Sequence, residues 1–132
     1  MGTRSLTVLQ EESGKEIAVL YRQYDGYLGG HGKELVDFLR DFNVVNGFTS
    51  KDKERKVANG PGCLAGQIVS HFKRGVGDFY LYPAGTRDCG EEYVYYIIPS
   101  LEKGINLKVI NDDGDIILNK LVHDIKDSDL KE

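Results

Sequence analysis

The stretch FYLYPAGTRDCGEEYVYYII, residues 79–98, decides how the second half of the chain is laid out. It reads as two aromatic-rich strands, Phe79–Tyr82 and Tyr93–Ile98, joined as a hairpin by a loop from Gly85 to Glu92. Hairpin loops usually hold about 2–5 residues. This one is longer, and Thr86, Arg87, Asp88, Cys89, Glu91 and Glu92 make it dense in polar chemistry.

Working outward, NLKVINDDGDIILNKLV follows with strands at 107–110 and 116–119 flanking an Asp113-Gly114 turn signal. Upstream, GPGCLAGQIVSHFKRG (60–75) opens on Pro61 and closes on Gly75, the asymmetry expected of a helix. Leu64, Ala65, Ile68 and Phe72 form its buried stripe. KELVDFLRDF (33–42) predicts a second helix with Leu35, Phe38, Leu39 and Phe42 on one face. Residues 5–10 and 16–24 read as an opening hairpin around Gly14. The sum is an α+β domain: a mostly antiparallel sheet with two main helices packed on one face. Leu81, Val94 and Ile97 are expected to join the helix residues in the core. The domain is placed at 1–123, with 124–132 as a polar tail expected to fray.

With 132 residues the chain is long enough for one core without staples. Seventeen basic against 21 acidic residues, net charge −4, argue against bulk nucleic-acid binding, which needs a positive face. A single small anion is still allowed. The run KDKERK (51–56) is read as a solvated face. Cys63 and Cys89 are read as reduced thiols and the protein as cytoplasmic, since the first residues hold no apolar leader core and no run reaches membrane length. MGTRSL does not place a hydroxyl where myristoylation wants it.

Three segments set polar groups among glycines at the ends of regular elements: YRQYDGYLGGHG (21–32), HFKRG (71–75) and GTRDCGEEYVYY (85–96). In the first, Arg22, Asp25 and His31 stand beside glycines, Gly30 among them, whose N–H groups could cradle an anion at a helix start. The alternative is a tight turn around a structural histidine. In the third, Arg87 can clamp phosphate, Thr86, Asp88 and Glu92 can bond hydroxyl or amino groups, and Tyr82 and Tyr93 can stack. The alternative there is a salt-bridged turn and ordinary sheet packing. His31, His71 and His123 lack the spacing of a zinc site, so neither metal nor cofactor is expected.

YRQYDGYLGGHGKEL, GCLAGQIVSHFK and YLYPAGTRDCGEEYVY resemble the signature stretches of a family of short uncharacterised proteins from bacteria, archaea and their viruses. The resemblance runs through roughly residues 3–98 and implies a small stand-alone microbial or viral protein, with no established activity attached.

The expected function is non-catalytic binding of a small anionic, nucleotide-like molecule. For a viral protein this would suit sequestration of a host immune signal nucleotide in the host cytoplasm. Two alternatives stand beside it. One is a hydrolase or transferase acting on a phosphorylated nucleotide-like substrate, using His31 or His71 with Asp88 or Glu92. The other is a protein–protein interaction module, and the edge of the last strands offers a route to a homodimer. The site model requires Arg22, His31 and Arg87 to converge on one ligand.

Overall fold

The computed structural model describes residues 2–49, 51 and 56–131. Residues 52–55 of the charge run lie outside this set. Along the chain stand β1 (Ser5–Gln10), β2 (Glu16–Arg22), α1 (Lys33–Leu39), β3 (Asn43–Val45), β4 (Val57–Asn59), α2 (Gly60–Phe72), β5 (Phe79–Pro83), β6 (Tyr93–Ser100), β7 (Gly104–Asn111) and β8 (Ile116–Leu121). Among the described residues six strands form the main sheet, in the order β5-β2-β1-β6-β7-β8, while β3 and β4 pair in parallel as a small separate ribbon. The fold is α+β, as expected from the sequence.

The hairpin reading of 79–98 is overturned. β5 pairs with β2, and β6 pairs with β1, so two strands separate them. β5 runs antiparallel to β2, β2 antiparallel to β1, and β1 parallel to β6. β5 and β6 therefore point the same way, which a tight hairpin cannot achieve. The connecting residues 84–92 carry the chain back across the sheet. They are tied to the start of β2 by the Gly85 N–H donating to Glu16 Oε1 at 2.8 Å. They finish beside β1, where the Glu92 N–H donates to the Arg4 carbonyl at 2.9 Å.

This crossover covers one face of the sheet. Leu6, Val8 and Val19 are buried there, with Tyr21, Cys89, Val94 and Tyr96 packed against them. The other face meets both helices: Leu9, Leu20, Tyr95, Ile97 and Leu107 share a core with Leu35, Leu39, Leu64, Ile68 and Phe72. With both faces covered, all six residues of β1 are buried. That explains why SLTVLQ shows no clean alternation of polar and apolar residues.

Of the expected core, Leu81 is 56% exposed because β5 is an edge strand of the sheet that the described residues form. Val94 belongs to the crossover face and not to the helix core. Helix α1 ends at Leu39, three residues early, where Arg40 turns extended and Asp41 takes a left-handed φ of 71°. The segment read as a fraying tail places Ile125 and Leu130 in the core, 4% and 3% exposed, through two short 3-10 turns.

Candidate functional site

At the end of β2, on the helix side, Arg22 has only 8% of its side-chain surface exposed. Its Nη1 donates to His31 Nδ1 at 3.1 Å and to Glu34 Oε2 at 2.7 Å. Because Nδ1 accepts, the ring carries its proton on Nε2 and donates it to Thr7 Oγ1 at 2.7 Å. His31 is completely buried among Phe72, Phe79 and the edge of Tyr95. Burial, reinforced by the Arg22 charge, holds its pKa down at about 3. It is a neutral structural histidine, the alternative weighed against a ligand role.

The turn that delivers His31 spends its own backbone. Gly30 and Gly32 N–H groups donate to the Tyr27 carbonyl, and the His31 N–H donates to the Asp25 carbonyl. The anion cradle expected from these glycines is thus already closed by the chain. A side chain at position 30 would bring its Cβ to 2.5 Å from the Asp25 carbonyl oxygen, so glycine is required by close approach. Asp25 itself is exposed with φ 60°.

Arg22 opens onto a cleft of about 470 Å³ lined by Glu34, His71, Phe72 and the residues from Arg74 to Phe79. This volume suits a nucleotide-sized molecule. One wall is aromatic, with the exposed His71 ring stacked on Phe38 at 4.0 Å and Phe72 beside Phe79. Burial and the nearby Arg74 lower the His71 pKa. The opposite wall is the turn RGVGD, where Gly77 and Asp78 are both left-handed, at φ 78° and 62°. Lys73 fastens this turn through Nζ, which donates to the Gly77 and Phe79 carbonyls. The Asp78 carbonyl accepts from the Gln23 N–H at 2.8 Å, linking the turn to the end of β2.

Two polar groups in this lining lack partners. Among the described residues, Nε of Arg22 is fully buried and makes no hydrogen bond. Asp78 Oδ1 is likewise buried and unpaired. Leaving such groups unsatisfied costs about 1–3 kcal/mol each, so their presence in one cleft marks it out.

Two of the three polar segments therefore meet, 21–32 and 71–75. The third does not. Arg87 donates through Nη2 and Nη1 to the two Glu16 oxygens at 2.8 and 3.3 Å, and lies over the Tyr96 ring on the crossover face. Glu16 begins β2 and Arg22 ends it, so Arg87 stands at the other end of that strand and on the other face of the sheet. Single-ligand convergence of Arg22, His31 and Arg87 is not formed within one chain.

Thr86 bonds the Pro83 carbonyl, and Asp88, with φ 60°, and Glu92 are exposed. Tyr82 stacks alongside Tyr80 beyond Tyr21 on the outer face, whereas Tyr93 packs on the helix-side core. The pairing of His31 with Asp88 or Glu92 is not formed, because His31 is enclosed by Thr7, Arg22 and the aromatic residues. Burial, with Glu91 and Asp88 nearby, pushes the Cys89 thiol up, away from a nucleophile.

Sequence reasoning placed Arg74 in the polar segment HFKRG without a role, and missed Asp78 and Glu34. The signal available was RGVGD itself, two glycines ending in an aspartate directly after a helix. Among the described residues no group of three His, Cys, Asp or Glu side chains is arranged to hold a metal, and no helix is long and apolar enough to cross a membrane. Compared with known proteins, the chain matches no family model, no curated protein and no solved structure.

Proposed function

We propose that the protein binds a small anionic, nucleotide-like molecule in the cleft between Arg22 and Arg74, and does not convert it. The observation that carries this reading is the Arg22 guanidinium, nine-tenths buried with its Nε donor unpaired, on a residue lining a cleft of nucleotide size. A guanidinium held rigidly by His31 is pre-organised for a bidentate oxyanion. Glu34, half exposed, can turn outward as the anion arrives. Arg74 supplies a second charge at the rim, and His71, Phe72 and Phe79 offer ring surface. Binding without turnover is favoured because His31 is locked in its neutral form, and the histidine–carboxylate pairing expected with Asp88 or Glu92 is not formed at the cleft.

Mass spectrometry of small molecules released from the purified protein by denaturation identifies the ligand. Calorimetry with that molecule should then show Arg74→Ala weakening binding at least tenfold through one lost charge-assisted contact. Arg87→Ala should leave affinity unchanged. Loss of affinity in Arg87→Ala alone would move the site to the crossover face, and product accumulating over long incubation would replace binding by catalysis.

A second reading draws on the β5 edge, where Tyr80, Leu81 and Tyr82 are 39%, 56% and 36% exposed. There a second copy of the chain would pair β5 with β5. Sedimentation equilibrium giving a monomer mass at micromolar protein would remove it.

A further inference from the structure

We infer that the cleft selects an anion carrying its own hydrogen-bond donor beside the charge, a hydroxylated phosphate ester such as a sugar phosphate or nucleotide, and that Asp78 is the residue that reads the donor. The inference rests on the anion-binding reading and deepens it.

The charged groups of the lining cancel. Arg22 and Arg74 face Glu34 and Asp78, with His71 held toward neutrality. A bare dianion entering this cleft meets two carboxylates as well as two guanidinium groups, which discriminates against polyanions. Glu34 is already paired with Arg22, so a ligand that displaces it leaves an acid free to rotate to solvent. Asp78 differs: its backbone is fixed by the left-handed pair Gly77-Asp78 and by the bond from the Gln23 N–H to its carbonyl, and its Oδ1 is buried with nothing to accept from. A carboxylate oxygen in that state accepts a hydroxyl or amino proton and repels an oxyanion. Arg22 and Asp78 both line this cleft, and each holds one buried atom without a partner, the donor Nε and the acceptor Oδ1, so a ligand that reaches both must present an acceptor and a donor close together. Phosphate esters of sugars do so. Simple alkyl phosphates do not.

The test uses the full chain and two probes at pH 8, methyl phosphate, which has no donor once doubly ionised, and ribose 5-phosphate. Calorimetry on the wild type should give ribose 5-phosphate at least tenfold the affinity of methyl phosphate. Asp78→Gly suits the left-handed backbone and removes the acceptor, and should bring the two probes to within about threefold. Asp78→Asn, equally at ease with that backbone, exchanges the carboxylate for a weaker neutral acceptor with N–H groups that can serve an oxyanion, so it should also narrow the gap, though less than glycine, and protects the test if the glycine variant melts. Arg74→Ala should weaken both probes alike. Equal affinities in the wild type overturn the inference and leave anion binding standing, as does a gap that persists in both Asp78 variants. If neither probe binds, the inference and the anion reading fall together.

Discussion

Strand β2 has an arginine–glutamate pair at each end, and the two are built to opposite purposes. At its start, Glu16 takes both Nη groups of Arg87, whose Nη1 also donates to the Thr86 carbonyl, and the guanidinium lies over Tyr96. At its end, Arg22 gives Nη1 to Glu34 and His31 and leaves the buried Nε unpaired. The first arginine is spent on holding the crossover against the sheet. The second is held by its neighbours and keeps capacity in reserve. A cation and a carboxylate in contact do not by themselves mark a binding site. What separates staple from receptor is how many donors are left over, and whether the fold has already fixed where they point.

The strongest way to break the contrast is to remove the support beneath Arg22. Phe72 packs against His31 and Phe79 and is 7% exposed. Phe72→Ala should cost about 3–5 kcal/mol in urea denaturation, and abolish ligand binding along with it. Neither Arg87→Ala nor Glu16→Ala should approach that figure.

Acid separates the two ends next. His31 has a folded pKa of about 3 against an ordinary 6.5, so below 6.5 the unfolded chain takes up a proton that the folded one refuses. Stability from this group is complete above about pH 6.5 and falls as pH drops through 3, by roughly 5 kcal/mol in all. Glu16 behaves later. The hydrogen bond from Arg87 lowers its pKa below the ordinary 4.5, so its contribution is present above 4.5 and is lost only as pH falls through the folded value. Denaturation followed against pH should therefore slope from 6.5 downward in the wild type, and His31→Gln should flatten the part between 6.5 and 4.5. A wild-type profile that is flat in that interval would mean that His31 is protonated in the folded protein.

The smallest effect sharpens the comparison. Arg87→Ala should cost about 1 kcal/mol, the scale of a partly buried bidentate pair, and show in hydrogen exchange of the 84–92 backbone while leaving the cleft's affinity alone.

The legible and illegible parts of this fold divide along the same physical line. Both helix stripes, the bounds of β1 and the Asp113-Gly114 turn follow from local spacing, and the structure places Leu35, Leu39, Leu64, Ile68 and Phe72 together in the core. The partner of β5 does not follow locally. Its aromatic pattern and that of β6 fit a hairpin as well as a crossover, and only the long-range fit of β6 beside β1 decides between them. Arg22 and His31 were visible as a polar pair around a glycine-rich turn. Their union with RGVGD was hidden because it depends on where α2 stops and β5 joins β2, a tertiary matter. Leu130, in a charged stretch at the end of the chain, gave no periodic signal of its burial.

The parallel pairing of β1 with β6 has a consequence for how the molecule assembles in time. β5, β2 and β1 make one antiparallel group, and β6, β7 and β8 another that closes through short turns. Among the described residues, only the seam from Ser5↔Tyr93 to Leu9↔Ile97 joins them within the sheet. The C-terminal group has local contacts and is expected to form early, whereas the seam must wait for most of the chain and is expected to set the folding rate. Substitutions at Leu6 or Tyr95 should then slow refolding more than they speed unfolding, and those within β7–β8 should do the reverse.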